Sequence, residues 1–231
     1  MEISDATTCQ SSSPAIKGRC LQVIGIVFIA CACGWFMMEL EILGVRVLVP
    51  YFGSAVYVIT GSVIGVFLLS LSIGYLLGGW LCGKINAWIL LGTVMIVVGI
   101  WLCAIPFFTE PVCNMIFNIG LDEKWGSLLA SLILFGTPTV LLGTVSPTVM
   151  HWLTILQTGN SGFNAGLVLA TSTMASFTGC VVTAFYLVLY SLRTTLCISG
   201  ITLAVLGTIV LLPRMMRASR NLYCNTQGPQ Q

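Results

Sequence analysis

The sequence predicts an all-α fold, a polytopic membrane helix bundle with six transmembrane helices, and three observations carry that expectation. Charged residues make up 7% of the chain against 57% hydrophobic, where a soluble domain holds roughly 25% charge. The apolar residues gather into six stretches, each of about 18 residues or more, the length a helix needs to cross about 30 Å of hydrocarbon. The few basic residues fall at the chain ends and in short connections, as the positive-inside rule requires.

In chain order, residues 1–20 include the polar SDATTCQSSSP and read as a disordered cytoplasmic tail. Lys17 and Arg19 ahead of LQVIGIVFIACAC imitate a secretory or lipoprotein signal ending at Cys31, but the apolar run continues well beyond it. The six-helix domain covers 21–213, with spans expected near 21–48, 56–82, 86–108, 127–149, 165–191 and 195–213. Residues 214–231 form a second cytoplasmic tail, ending in NTQGPQQ.

With both termini inside, Lys17, Arg19, Lys84, Arg214, Arg217 and Arg220, six of the nine basic residues, lie on the cytoplasmic side. The opposite orientation would leave only Arg46, Lys124 and Arg193 there. Residues 109–126, with Glu110, Asp122 and Glu123, are expected to form the longest connection, an exterior loop. Trp88, Trp125 and Trp152 fall near span ends, at headgroup level.

In lipid, helices associate through close backbone approach, so small residues four apart are packing signals. They occur as Gly61/Gly65 and Gly74/Gly78 in the second span, Ala175/Gly179 in the fifth and Gly200/Ala204 in the sixth. Pro138 and Pro147 bracket the fourth span in GTPTVLLGTVSPTVMHW. Each removes a backbone donor and disfavours helix just before it, so a kinked or broken helix is expected. A broken helix can line a transport site; because Pro147 lies near the cytoplasmic end, simple termination there is the favoured reading.

Three ionisable groups interrupt the end of the first span: Glu39, Glu41 and Arg46. A charge at mid-bilayer costs about 2.5–3.5 kcal/mol even on the lenient insertion scale, so such groups face protein or water and find partners. On a helix Glu39 and Glu41 stand about 200° apart, so only one need face the core. Glu41 and Arg46 stand about 140° apart and would need a bend at Gly44 to meet, or separate partners on other helices. A structural ion pair, a substrate or proton site, and interfacial snorkelling all remain open for these groups. His151, the sole histidine, is a candidate pH-sensitive or binding group, though a lone interfacial histidine is more often a hydrogen-bonded surface residue.

Several functions have no footprint in the sequence. A net charge of +2 without a basic run gives no electrostatic basis for nucleic-acid binding. No phosphate loop, HExxH or GxSxG motif occurs, and TGNSGFNAG at 158–166 joins two spans without a strand before it. Of the ten cysteines, none sits in a CxxC pair; most fall in apolar segments as small hydrophobes, and Cys113 alone is placed on the exterior side. Neither metal nor cofactor is expected.

The pattern E-x4-R-x3-PYFGS from Glu41 to Ser54, VYVITGSVIGVFLLSLSIGYLLGGWLCGK at 56–84, LLGTVSPTVMHWL at 141–153, GLVLATSTMASFTGCVVTAFYLV at 166–188 and LRTTLCISGITLAVLGTIVLL at 192–212 together resemble the N-terminal multispan membrane region of bacterial spermidine synthase-like proteins, also described as fused major-facilitator/spermidine synthase proteins. The resemblance is weakest at 85–126. The family pattern would put an Arg near Trp80 and an Asp near Gly83, and this sequence has neither. The resemblance implies half of a major-facilitator-like architecture in a bacterial inner membrane. Family members often continue into a soluble aminopropyltransferase-like domain, whereas this sequence ends soon after Arg220, so no enzymatic activity is carried over.

Two functions follow as expectations. One is a small-molecule transport component, possible as a homodimer, with Glu41 and Arg46 as first substrate or ion contacts, Glu39 second, and an amine or polyamine as the solute the family name suggests. The other is a non-transporting anchor that holds a separately encoded synthase, or another cytoplasmic enzyme, at the membrane through Lys84, HWLTILQTGNSGF and the C-terminal arginines. The lipid bilayer is a partner in both.

Overall fold

A computed structural model describes the backbone of residues 13–53, 56–156 and 161–225, with side chains placed for 22–53, 57–153, 162 and 165–212. Ser54 and Ala55, residues 157–160 of the fourth-to-fifth connection, and the outermost tail residues 1–12 and 226–231 lie outside the described residues, as do the side chains of Lys17, Arg19, Arg214, Arg217 and Arg220.

The described chain is an all-α bundle. Helix α1 spans Ser13–Phe52, α2 Val56–Leu81 and α3 Ala87–Asn118. The fourth crossing is built in pieces: α4 at Glu123–Ser131, a π-helical turn at Leu132–Gly136, α5 at Thr137–Gly143 and α6 at Val145–Leu156. Helix α7 spans Ser161–Phe185, a 3-10 turn covers Leu187–Leu189, and α8 runs over Leu192–Asn225. Among the described residues, six stretches are long and apolar enough to cross a membrane: Gln22–Phe52, Tyr57–Leu81, Ala87–Asn118, Glu123–Leu153, Ala165–Leu189 and Leu192–Leu212. Helix is the economical choice for each, because lipid offers no partner for a free N–H or C=O.

Helices begin before and end after the apolar stretches at both termini. Helix α1 starts at Ser13, inside the segment expected as a tail, and α8 continues through Asn225.

The expected exterior loop at 109–126 is largely helix. Helix α3 continues to Asn118 in spite of Pro106 and Pro111, leaving only Ile119–Asp122 before α4 starts at Glu123. The reason lies in spacing. Val98, Leu102, Ile105, Thr109, Cys113 and Ile116 are all buried and recur every three or four residues, so one packed stripe runs past both prolines and outweighs their lost hydrogen bonds. Cys113 is a buried member of that stripe. Gly120, with φ +75°, makes the sharp reversal that a side chain would resist.

The fourth crossing is broken, and its break precedes Pro147. The helix is interrupted at Thr144, and Pro147 lies in the first turn of α6, where its missing N–H has no partner to lose. Helix α6 then runs to Leu156, so termination at Pro147 does not occur. Pro138 acts differently. Four residues upstream, the Leu134 carbonyl receives no donation from Pro138, and the Trp101 indole N–H on α3 supplies it at 3.0 Å. The π turn beside it thereby keeps its backbone satisfied.

Three close helix pairs organise the bundle. Helices α3 and α8 meet through glycine: a Cβ on Gly99 would come within 2.5 Å of the Gly200 carbonyl oxygen and 2.9 Å of the Ala204 Cβ. Gly92 and Gly207 repeat that approach nearer the termini. In the second pair, Gly74 and Gly78 of α2 lie against Gly143, Thr144 and Pro147 of the broken crossing. In the third, α1 and α7 run parallel: Gly34 faces Ser172 and Ser176, Gly179 lies on Trp35, and half-buried Ala175 lies on the same helix. Gly61 and Gly65 behave otherwise. Both are exposed, and a Cβ on either would meet nothing within 4 Å, so they do not join α2 to a neighbour.

Between these pairs the core is aliphatic and aromatic, with Phe67 of α2 and Phe135 of the π turn 6.1 Å apart at its centre. Helix α7 is the outlier: its apolar window is 11% buried against 61% for the fourth crossing, and Leu169, Met174, Phe177 and Phe185 point outward.

Candidate functional site

Helix α1 runs unbroken through Gly44, so the two carboxylates two residues apart face different surroundings. Gly44 is a packing position and not a hinge: a Cβ there would touch the Phe135 ring at 3.4 Å.

Glu39 points into the bundle and is 3% exposed. The buried Ser199 hydroxyl on α8 donates to Glu39 Oε1, and the Trp35 side chain, one turn earlier on α1, donates a second hydrogen bond. Two donors aimed at one carboxyl satisfy its oxygens without a cation, the condition for keeping such a group away from water. The carboxyl thus clamps α1 to α8.

Glu41 is half-buried and faces a partly open cavity of about 260 Å³ bordered by α1, α2, the broken crossing and α7. Helix α1 contributes Met37 and Met38 beside Glu41, α2 contributes Tyr75, and the residues on either side of the Thr144 break contribute Leu142, Val145, Ser146 and Met150. Helix α7 closes the remaining side with Ser172, Thr173 and Ser176. The cavity exists because α7 rests on α1 through glycine and serine at one edge while its other side stands clear of α2.

Arg46 does not join Glu41. It donates from its guanidinium to the Tyr190 carbonyl at 3.0 Å, tying the end of α1 to the turn between α7 and α8. Arg193, just beyond that turn, stacks on the Phe107 ring with its guanidinium carbon 4.5 Å from the centroid. Arg46 and Arg193 therefore fasten helix ends and take no part in the cavity wall.

His151 is also separate from Glu41. It lies exposed on a small cleft of about 190 Å³ with Cys82, Asn86 and Trp152, at the bundle end that carries the termini. Trp88 and Trp152 meet edge to face there, centroids 4.2 Å apart, and Lys84 Nζ lies 3.5 Å over the Trp80 ring. Such aromatic and cationic groups belong at a membrane interface.

Among the described residues, no three His, Cys, Asp or Glu side chains gather as metal ligands, and the described cysteines are free thiols. The site that remains is a single carboxylate on a mostly apolar cavity. Its hydroxyl wall was not expected from the sequence. The pairing of Ser172 with Ser176 one turn later carried a signal, the same small-xxx-small spacing as Ala175/Gly179, on an adjacent lane of α7.

Comparison with protein-family models, with curated proteins and with solved structures returned no match.

Proposed function

We propose that this chain is a membrane transport component whose cavity receives a small cationic solute at Glu41. The observation that carries this reading is the contrast in occupancy of the two intramembrane carboxylates. Glu39 has its hydrogen bonds met inside the bundle, while Glu41 is presented to an open space large enough for a ligand. An acidic group held within a span is costly unless it serves a pathway or a partner. The broken fourth crossing beside the cavity supports the same reading, since interrupted helices let backbone and side-chain oxygens approach a solute. The likeness to spermidine synthase-like membrane regions supports a six-helix, half-carrier module, and a second copy facing the cavity would complete a carrier.

Reconstitution into liposomes tests this. Glu41→Gln should abolish uptake of a radiolabelled cationic amine while leaving the protein monodisperse; undiminished uptake by that variant would remove Glu41 from the pathway.

A second reading, a membrane anchor for a separate cytoplasmic enzyme, draws on one observation. Helix α8 continues to Asn225, past the apolar stretch that ends at Leu212, and carries Arg214, Arg217 and Arg220 on that extension. Stoichiometric co-purification of an enzyme in mild detergent, lost on truncation after Leu212, would favour the anchor.

A further inference from the structure

Resting on the transport reading, the cavity chemistry goes further and narrows the solute: we infer that the Glu41 cavity takes a singly charged organic ammonium with an apolar body, and not a polyamine.

Charge comes first. Among the described residues on the wall, Glu41 is the only carboxylate, and none is Lys, Arg or His. One carboxylate neutralises one cation. A polyamine would bring two or more further ammonium groups into the same space, and each desolvated ammonium without a partner is heavily penalised.

The hydrogen-bonding sense of the wall agrees. Ser172 Oγ donates to the Ala30 carbonyl at 3.1 Å, Thr173 Oγ1 to the Leu169 carbonyl at 2.7 Å, and Ser176 Oγ to the Ser172 carbonyl at 3.0 Å. With their protons committed to backbone, these hydroxyls offer only lone pairs to the cavity. On the α7 side, across from Glu41, they offer a row of acceptors, which suits an N–H-bearing cation.

The rest of the lining selects the body of the solute. Met37, Met38 and Met150 are polarisable and adaptable, Leu142 and Val145 are aliphatic, and Tyr75 offers an aromatic face. None replaces the hydration shell of an alkali ion, whereas all favour hydrocarbon attached to the ammonium. Size agrees with a small solute. A cavity of about 260 Å³ lies just below the range of roughly 300–1,000 Å³ found for ligand pockets.

The test uses the full chain in zwitterionic lipid nanodiscs, with empty nanodiscs as blank, and titration calorimetry at neutral pH. The probes are benzylammonium, its uncharged counterpart benzyl alcohol, and spermidine. Benzylammonium should bind saturably, and both spermidine and benzyl alcohol at least about tenfold more weakly, the size of one lost or one surplus buried charge interaction. Glu41→Gln should weaken benzylammonium by at least about tenfold. Thr173→Phe, at an exposed rim position where it fills space without entering the core, should do the same and serves if Glu41→Gln fails to fold. Spermidine binding as tightly as benzylammonium, equal binding of benzyl alcohol, or indifference of benzylammonium to both variants would overturn the proposal. Glu41-dependent binding without flux in liposomes would sink the transport reading and leave this one standing. Glu41-dependent spermidine flux would do the reverse.

Discussion

The two sides of helix α1 put the same functional group to opposite uses. Toward α8, Glu39 is sealed in and donated to by Ser199 and Trp35, so its carboxyl acts as a joint. Toward α7 and the broken crossing, Glu41 meets a cavity walled by Met, Tyr and hydroxyl oxygens. What separates a structural acid from a candidate binding acid is whether neighbours saturate its lone pairs, not depth in the membrane or distance along the chain. Two residues of sequence and about 200° of rotation are enough to switch one role for the other.

This contrast can be broken most sharply by removing the joint. Glu39→Ala leaves the buried Ser199 hydroxyl without its acceptor, a loss of about 1–3 kcal/mol, and frees the half-buried Trp35 donor as well. The thermal transition in detergent should fall by more than for Gly34→Leu or Gly65→Leu, and Glu41→Gln should leave it nearly unchanged. Equal destabilisation by the two carboxylate changes would erase the distinction between the two sides.

A smaller effect is expected where α1 meets α7. Gly34 has no room for a side chain, since its Cβ would stand 2.6 Å from Ser176 Oγ and 2.9 Å from the Ser172 carbonyl. Gly34→Leu should cost about 1–3 kcal/mol as an overpacked contact. Because α7 has few other attachments, the loss should appear as proteolytic release or faster amide exchange in α7 ahead of global unfolding. Protection of α7 equal to the parent would show that α7 does not depend on this contact.

The smallest effect sharpens the comparison by supplying a neutral reference. Gly65→Leu, on the exposed face of α2 with nothing within 4 Å of its Cβ, should shift stability by no more than about 0.5 kcal/mol. A loss comparable to Gly34→Leu would mean that this face is covered by a second molecule.

How much of this was legible beforehand varied with the kind of feature. The glycine spacings were all visible, yet Gly74 and Gly78 are pressed against the broken crossing while Gly61 and Gly65, on the same helix, touch nothing. Spacing identifies a face, and only a neighbour makes it an interface. The two prolines of the fourth crossing announced a break, but its place at Thr144, and the π turn satisfied by Trp101 from another helix, depended on a donor more than thirty residues away. The prolines of α3 misled in the other direction, because a buried stripe sustained by packing carried the helix through them. Arg46 was legible as a group in need of a partner, and the partner proved to be a backbone carbonyl at Tyr190.

Composition and segment length by themselves determined that this is a six-helix, lipid-adapted bundle, and helical geometry by itself determined that Glu39 and Glu41 face apart. Both follow from local properties: the hydropathy of a continuous stretch and the fixed rotation per residue. The tertiary structure alone decided which acid is saturated and which is open, which glycines carry contacts, and where the cavity lies. Those outcomes depend on which atoms of distant segments arrive within hydrogen-bonding or van der Waals reach, a relation between segments that no one of them encodes.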